Sequence, residues 1–589
     1  DDGTKHVILL AAPTNLANCL ASQATLVSSD VGPLGVLDPV TNAPLAVDGA
    51  NTTTGQRPGV VDGTPTAILT DTQIDQETDG ASIQFNWNFD KHKFMVGASV
   101  DMPSANYTSG QMLGMLDAKR RGYLAPDQIR EQYAAASLEV NNNDFKGHQI
   151  TKSIYASETW SPIETLNFTG ALRYNETRGK NKIASRTWGS RVFDLYDFEA
   201  VPDEYDLCVN GVCPTTGYQI PDLSRLKNPA ETEKFSYYSL NPSLGATWQA
   251  TPKLNLYGNW AQGTRTPSVI ELGCAFDSTP VEIGGGLGTM PRSLAQIRSC
   301  SLPTTLSGDP YLPQIKAQTW DFGMRGHFND NIEWNLGIYR TDLKDDIYMI
   351  GYPGNRNFFD TIGETRRQGL EAGINAAFDK WRLRLNYALT EATFQHSFWM
   401  PANDNSSAVE EFIGNLNYSR RIQVNPGNRM PGVPLHNLNA TLSYQVTPKW
   451  QIGMTAVAHS FAYVRGNENN QHQEGVTIYE TYAPTGELRP RRPTNNPGTV
   501  DGYMVLNMQT SYKLNSEWTL GLRVNNILDK EYFNAGRLGR NPFSPSVYGA
   551  IGPDGYNHNS NDWLTTNFLA PGAPRAAWVS LSYEFDPRK

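Results

Sequence analysis

Five cysteines and nine histidines are the residues of this chain best suited to covalent or metal chemistry, and their spacing limits what they can do. Cys208 and Cys213, in the segment C-V-N-G-V-C, bracket an Asn-Gly turn, while Cys274 and Cys300 fall together in a second predicted loop. Each pair could close its own loop as a disulfide in an oxidising compartment; reduced cysteines at unrelated sites are the alternative. Cys19 is the odd one out, and its partner is expected in sequence beyond this chain. No C-x-x-C pair is present, which argues against zinc. The histidines, at 6, 92, 148, 327, 396, 436, 459, 472 and 558, show neither helical i, i+4 spacing nor a tight cluster, so neither direct metal ligation nor a resident cofactor is expected. There is no G-x-S-x-G elbow, H-E-x-x-H helix or Gly-rich phosphate loop either. An enzyme would have to be assembled from residues far apart in sequence.

What remains is a strand pattern. The chain has 589 residues and a mean hydropathy of -0.47, and no apolar run approaches the roughly 18–20 residues that a membrane-spanning helix needs. Low hydropathy is compatible with a membrane barrel, whose strands carry apolar side chains only at every second position. In A-S-I-Q-F-N-W-N-F, Ala81, Ile83, Phe85, Trp87 and Phe89 share one face, and Ser82, Gln84, Asn86 and Asn88 the other. The pattern recurs through Phe94–Val100, Leu166–Tyr174, Trp320–Phe328 and Ile332–Ile338. Seven short turns, near Asp90, Pro162, Pro252, Asp330, Asp379, Pro448 and Ser516, join successive strands. Trp248, Phe328, Trp381, Trp450 and Trp518 crowd these turns as an interfacial girdle would. The opposite strand ends open into long polar connections at about residues 107–145, 181–233, 269–313, 397–432, 467–500 and 535–573, with a shorter one at 351–357. One of them contains a short predicted helix capped by Asp127.

The expected fold class is therefore all-β, a transmembrane antiparallel β-barrel with fifteen spanning strands: two per hairpin and a last run through Val579, Leu581, Tyr583 and Phe585. Residues 1–70 are read as an extracellular loop region and residues 71–589 as the barrel. An odd count cannot close an all-antiparallel barrel, so further strands are expected before residue 1. The net charge of -10, without clustered Lys and Arg, argues against nucleic acid.

Several segments resemble the TonB-dependent outer-membrane receptors. They are N-P-S-L-G-A-T-W-Q-A-T-P-K-L-N-L-Y-G-N-W-A-Q-G-T-R-T-P-S-V-I-E-L at 241–272, W-N-L-G-I-Y-R-T-D-L-K-D-D-I at 334–347 and G-E-T-R-R-Q-G-L-E-A-G-I at 363–374. R-M-P-G-V-P-L-H-N-L at 429–438, V-R-G-N-E-N-N-Q at 464–471, L-R-V-N-N-I-L-D-K-E-Y-F at 522–533 and the ending P-G-A-P-R-A-A-W-V-S-L-S-Y-E-F complete an ordered set. The resemblance implies a barrel of about 22 strands around an N-terminal plug, of which this chain would hold the last fifteen. No plug-like or TonB-contacting stretch (TonB box) is read in it.

The resemblance also points to ligand-binding candidates: Arg265; Tyr352, Asn355 and Arg356; His396, Trp399 and Met400; Tyr463 and Arg465. Arginines and aromatic rings suit a flat anionic metal chelate. Arg265 and Arg465 could instead pair with lumen carboxylates, and Trp399 could merely pack a loop. Asp345 and Asp346 are read as the polar rim of a strand, not a cation site. The implied activity is uptake, across the outer membrane of a Gram-negative cell, of a scarce nutrient such as a ferric siderophore, with metal entering only inside its chelate. Implied partners are the small-molecule ligand, bilayer lipid and lipopolysaccharide, the inner-membrane TonB complex, and a surface lipoprotein over the loops if one exists. A passive porin, an outer-membrane enzyme and an adhesin are the alternatives.

Overall fold

A computed structural model of the chain describes residues 66–116, 121–124, 138–185, 231–268, 271–272, 275–282, 288–295, 312–352, 356–413, 417–482, 486–545 and 563–585. All five cysteines, Asn355, the helix predicted at Asp127 and residues 1–65 lie outside these segments.

Within them the chain is a ladder of fifteen long strands: β1 Thr66–Phe89, β2 His92–Leu116, β3 Val140–Ile163, β4 Leu166–Ser185, β5 Glu231–Thr251, β6 Leu254–Arg265, β7 Ile315–Asn329 and β8 Ile332–Lys344. There follow β9 Thr365–Phe378, β10 Trp381–Phe394, β11 His436–Thr447, β12 Trp450–His459, β13 Tyr503–Lys513, β14 Trp518–Asn525 and β15 Ala576–Tyr583. Each pairs antiparallel with the next, and Gly122–Tyr123 adds a short piece beside β2. The predicted count and all seven turns are present. Turn chemistry sets the hairpins: Asp379, for instance, takes the left-handed conformation at φ 45° between β9 and β10.

The two faces of the sheet differ as the alternation requires. Outward positions such as Ile83, Phe85, Ile154, Leu244, Phe322, Ile338 and Leu581 are exposed, a continuous apolar surface that water would not tolerate and lipid would. Aromatic rings meet near the short turns, as in Trp381 on Tyr444 at 4.5 Å and Trp518 on Tyr583 at 4.8 Å. Inward positions are polar, and facing threonines bond across neighbouring strands: Thr151 to Thr177 (2.9 Å), and Thr159 to Thr169, Thr319 to Thr341 and Thr441 to Thr455 (each 3.0 Å).

One expectation needs correction. The first five strands run 24, 25, 24, 20 and 21 residues, against the roughly 9–11 that cross a bilayer. Residues 66–70, 107–116, 140–145, 181–185 and 231–233, expected in loops, are paired strand. Backbone pairing continues past the membrane, but outward residues there, such as Thr108, Gly110 and Lys182, are no longer apolar, so an apolar alternation no longer marks it. The later strands are shorter, and their connections fold into small sheets: Phe398–Pro401, Val409–Ile413 and Asn417–Val424 in one, Phe533–Asn541 with Leu564–Pro571 in another.

The facing can be tested on β8, where Leu336 lies between Met324 and Ala372 on the outward face. Leu336→Arg is expected to destabilise the folded barrel by about 2–4 kcal/mol, and the inward-facing Gln509→Arg by far less, in urea titrations of protein in lipid vesicles. Equal losses would contradict the assignment of faces.

Candidate functional site

Asp345 and Asp346 end β8 and start the hairpin on which the mouth of the sheet is organised. Asp345 turns the chain at φ 55°, and Asp346 is buried, accepting from the Thr365 hydroxyl at 2.6 Å and the Ile347 amide at 3.0 Å. The hairpin they launch pairs Ile347–Tyr352 with Arg356–Thr361 and separates two apolar clusters. On one side Ile347 and Phe359 pack with Phe235, Tyr237, Leu272, Ala275 and Leu312. On the other, Ile350 packs with Phe394, Met400, Ile422 and Val424, with Tyr348 at its edge.

Over that second cluster lies the segment 463–472, held by side chains that imitate backbone. Asn470, itself left-handed at φ 60°, accepts from the Arg429 amide at 2.6 Å and donates to the Arg429 carbonyl at 3.0 Å. Asn405 donates to the Gly466 carbonyl (2.8 Å) and to Asn469 (3.2 Å), and Asn467 donates to the Gly498 carbonyl (3.0 Å). His472 Nδ1 accepts from the Ser406 amide at 3.0 Å, which requires a neutral ring, and burial lowers its pKa in the same sense. Glu468 is fully buried; it accepts from the Gly466 amide at 3.0 Å and from the Tyr348 hydroxyl at 3.2 Å. Burial pushes the carboxyl of Glu468 up, against the opposing pull of its amide bonds and Arg465, and burial beside Glu468 likewise raises the Tyr348 hydroxyl. A charge cluster ties the outer loops together: Arg491 contacts Asp404 (3.1 Å) and Glu480 (3.0 Å), and Arg540 contacts Glu480 (2.7 Å).

The sequence-predicted candidates divide among these parts. Arg265 makes a two-pronged bond to Glu271, 2.8 Å on each arm, and belongs to the first side of the hairpin. Met400 is buried in the second cluster. His396 packs against Gly363, at φ 80°, so closely that a Cβ there would lie 2.8 Å from the ring, and its Nδ1 accepts from the Glu364 amide at 3.3 Å. Trp399 is 41% exposed with the Arg421 guanidinium 5.6 Å over its ring. Arg465 lies over Tyr348 at 5.1 Å. Tyr352 and Arg356 are the last paired residues of the hairpin, with side chains outside the described set, as Asn355 is altogether.

Tyr463 is the candidate that leads to an open site. The Arg429 guanidinium lies 5.5 Å over its ring and 5.4 Å over that of Phe461, and the two rings meet edge to face. Two residues before Phe461, the inward-facing His459 meets Tyr503 edge-on, and Tyr503 meets Tyr532 at 4.4 Å. These are two groups of rings, one with a guanidinium over it and the other with His459 and Tyr503 on the inward face by register, chemistry suited to a planar anionic guest. Arg429 begins the quoted segment at 429–438 and Tyr532 falls in that at 522–533, but Phe461 and Tyr503 had no sequence signal, because separate segments bring these residues together. Among the described residues there is no group of three or more His, Cys, Asp or Glu arranged to hold a metal ion.

A family model described as TonB dependent receptor-like, beta-barrel matches residues 41–527. The chain is similar to the probable TonB-dependent siderophore receptor PiuA of Acinetobacter baumannii, 23% identical over 220 residues, or 37% of this chain and 24% of that protein. Solved structures with a similar arrangement include the ferric yersiniabactin uptake receptor FyuA of Yersinia pestis, 11% identical with a TM-score of 0.48 over 88% of this chain and 56% of that one. The ferric-catecholate import receptor Fiu of E. coli K12 in its closed form is 16% identical, TM-score 0.49, over 87% and 55%. The copper transporter OprC is 13% identical, TM-score 0.49, over 88% and 58%. The chain spans little more than half the length of these solved proteins.

Two outcomes follow from the loop geometry. Because the pKa of Glu468 is raised above its ordinary 4.5, its contribution to holding 463–472 is complete below that value and is lost as pH rises through the raised one. Amide exchange at 464–472, corrected for intrinsic pH dependence, should quicken with pH in the parent, and Glu468→Gln should flatten the profile; parallel profiles would refute this. Arg491→Met, which strips a buried cation from Asp404 and Glu480, should cost the loop assembly about 3–5 kcal/mol, read as faster proteolysis within 402–413 and 479–490 while the barrel stays intact.

Proposed function

The chain belongs to the TonB-dependent receptor family, and from that membership we propose that it forms most of the barrel of an outer-membrane receptor that imports a ferric siderophore or similar metal chelate. Such receptors are outer-membrane proteins of Gram-negative bacteria and act with TonB, their ligands and the surrounding lipid. In this reading the fifteen strands belong to a barrel of about 22, closed by a plug that energy delivered through TonB moves.

The observation that carries the choice of cargo is the group of Arg429, Phe461 and Tyr463, with the rings of His459, Tyr503 and Tyr532 close by along the chain. A guanidinium and aromatic faces at the mouth match a planar anionic chelate, and leave the metal to be held by its own ligand. The curated relative being named a siderophore receptor agrees with this.

The full-length protein should bind at least one of a panel of ferric catecholate, hydroxamate and citrate complexes, and cells carrying it should accumulate that iron only while the proton gradient is intact. Arg429→Ala with Tyr463→Ala should weaken binding about tenfold at unchanged abundance in the membrane. Uptake that survives collapse of the gradient would favour a passive channel, and failure to bind any of the three would overturn the cargo.

A further inference from the structure

A second meeting of cations and an aromatic ring lies on the inner wall, well below the mouth. One register row crosses the sheet there: Arg382, Ser443, Gly453, Gln509, Arg523 and Trp578 stand opposite one another in turn on β10 to β15. Arg384 occupies the next inward position of β10, across from Thr441. Arg382, Arg384 and Arg523 are exposed, and Trp578 is 52% exposed although it faces the lumen. The other tryptophans described in the fifteen strands face outward.

At the mouth, Arg265 is occupied by Glu271. Arg382, Arg384 and Arg523, by contrast, have no ion-pair partner among the described residues, and Arg523 donates to the Asn525 side chain at 3.0 Å. Asp330 and Glu333 line the far margin of the same stretch, and Glu333 lies 3.8 Å from His327. Between the cations, Ser443 and Gly453 hollow the wall into two adjoining concavities of about 590 and 600 Å³, which share Ser443, Gln451 and Gln509. Each is in the size range of small-molecule sites. Three guanidiniums around a hollow with amide side chains on its floor concentrate anions there.

The chemistry repeats that of the mouth, where Arg429 lies over Phe461 and Tyr463, and the two levels share strands. His459 of β12 and Tyr503 of β13 stand six residues from Gly453 and Gln509, roughly 20 Å along a strand. The inward positions between them, Val457, Thr455, Val505 and Asn507, are uncharged and present nothing to hold an anion on the way. We propose that the row from Arg382 to Trp578 is a second, deeper binding station for an anionic chelate, taken up when the guest leaves the mouth. The inference rests on the uptake reading proposed above and names the wall along which the guest passes.

The test measures binding and uptake separately in cells carrying the full-length receptor, with whichever ferric catecholate, hydroxamate or citrate complex the parent binds. The combined variant Arg382→Gln, Arg384→Gln, Arg523→Gln should leave Kd on de-energised cells unchanged and lower the maximal uptake rate about tenfold, at equal abundance in the membrane. Arg382→Lys, Arg384→Lys and Arg523→Lys together, which keep the charge, should restore most of that rate, and Trp578→Leu alone should lower it by a smaller factor. A parent that binds none of the complexes ends the uptake reading itself. A parent that imports, beside a Gln variant that imports as fast, ends the station alone. The station is also overturned if the Gln variant admits vancomycin with the proton gradient collapsed, because the arginines would then be holding the plug by its carboxylates.

Discussion

A backbone amide or carbonyl left unpaired in hydrocarbon costs several kcal/mol, and the rest of this molecule depends on how that demand is met. Along the sheet β2 to β14 each pair with a strand on both sides, and β1 and β15 with one, so the backbone of the inner strands is satisfied. With the backbone satisfied, side chains are free to divide by face: apolar groups such as Phe322 and Ile338 outward, threonine pairs inward. The same ladder then extends beyond the membrane, where β1–β5 continue as projecting hairpins whose outward face is no longer apolar. One backbone pattern thus serves two solvents, and only the side chains register the change between them.

At the mouth the balance of forces is different. The apolar clusters around Ile350 and Ile347 are small, and much of the loop order comes from buried polar groups: Asn405, Asn467 and Asn470 replacing backbone partners, and Arg491 and Arg540 sharing Asp404 and Glu480. Burying these groups is favourable only because each finds partners, which makes the assembly specific in geometry and sensitive to the loss of any one member. The mouth is therefore built as a shaped polar surface, in which partly exposed side chains such as Arg429 and Tyr463 stand among neighbours that are locked.

How much of this was legible in the sequence varied with distance along the chain. Phe85 and Trp87 declare an outward face because alternation is a local property with a period of two. Thr108 and Lys182 lie on the same kind of strand, yet their outward face is no longer apolar, and the strand goes unseen. Among the site candidates, Arg265 pairs with the carboxylate of Glu271, Met400 packs in the second apolar cluster and His396 bonds the Glu364 amide, contacts that follow from folding and not from local sequence. Arg429 and Tyr532 lay in family-like segments without a role, and Tyr503 carried no mark at all.

The sequence by itself determined the class of protein: strand spacing, turn residues and one-sided apolar faces encode a membrane sheet because each is set within a few residues. Tertiary structure alone decided which side chains work together. His459, Tyr503 and Tyr532 meet through sheet register and loop folding, and Arg382, Arg523 and Trp578 share one row only through the register of β10 to β15. Those proximities depend on long-range pairing of segments tens of residues apart, and local preference carries no information about which partner a strand or loop will find.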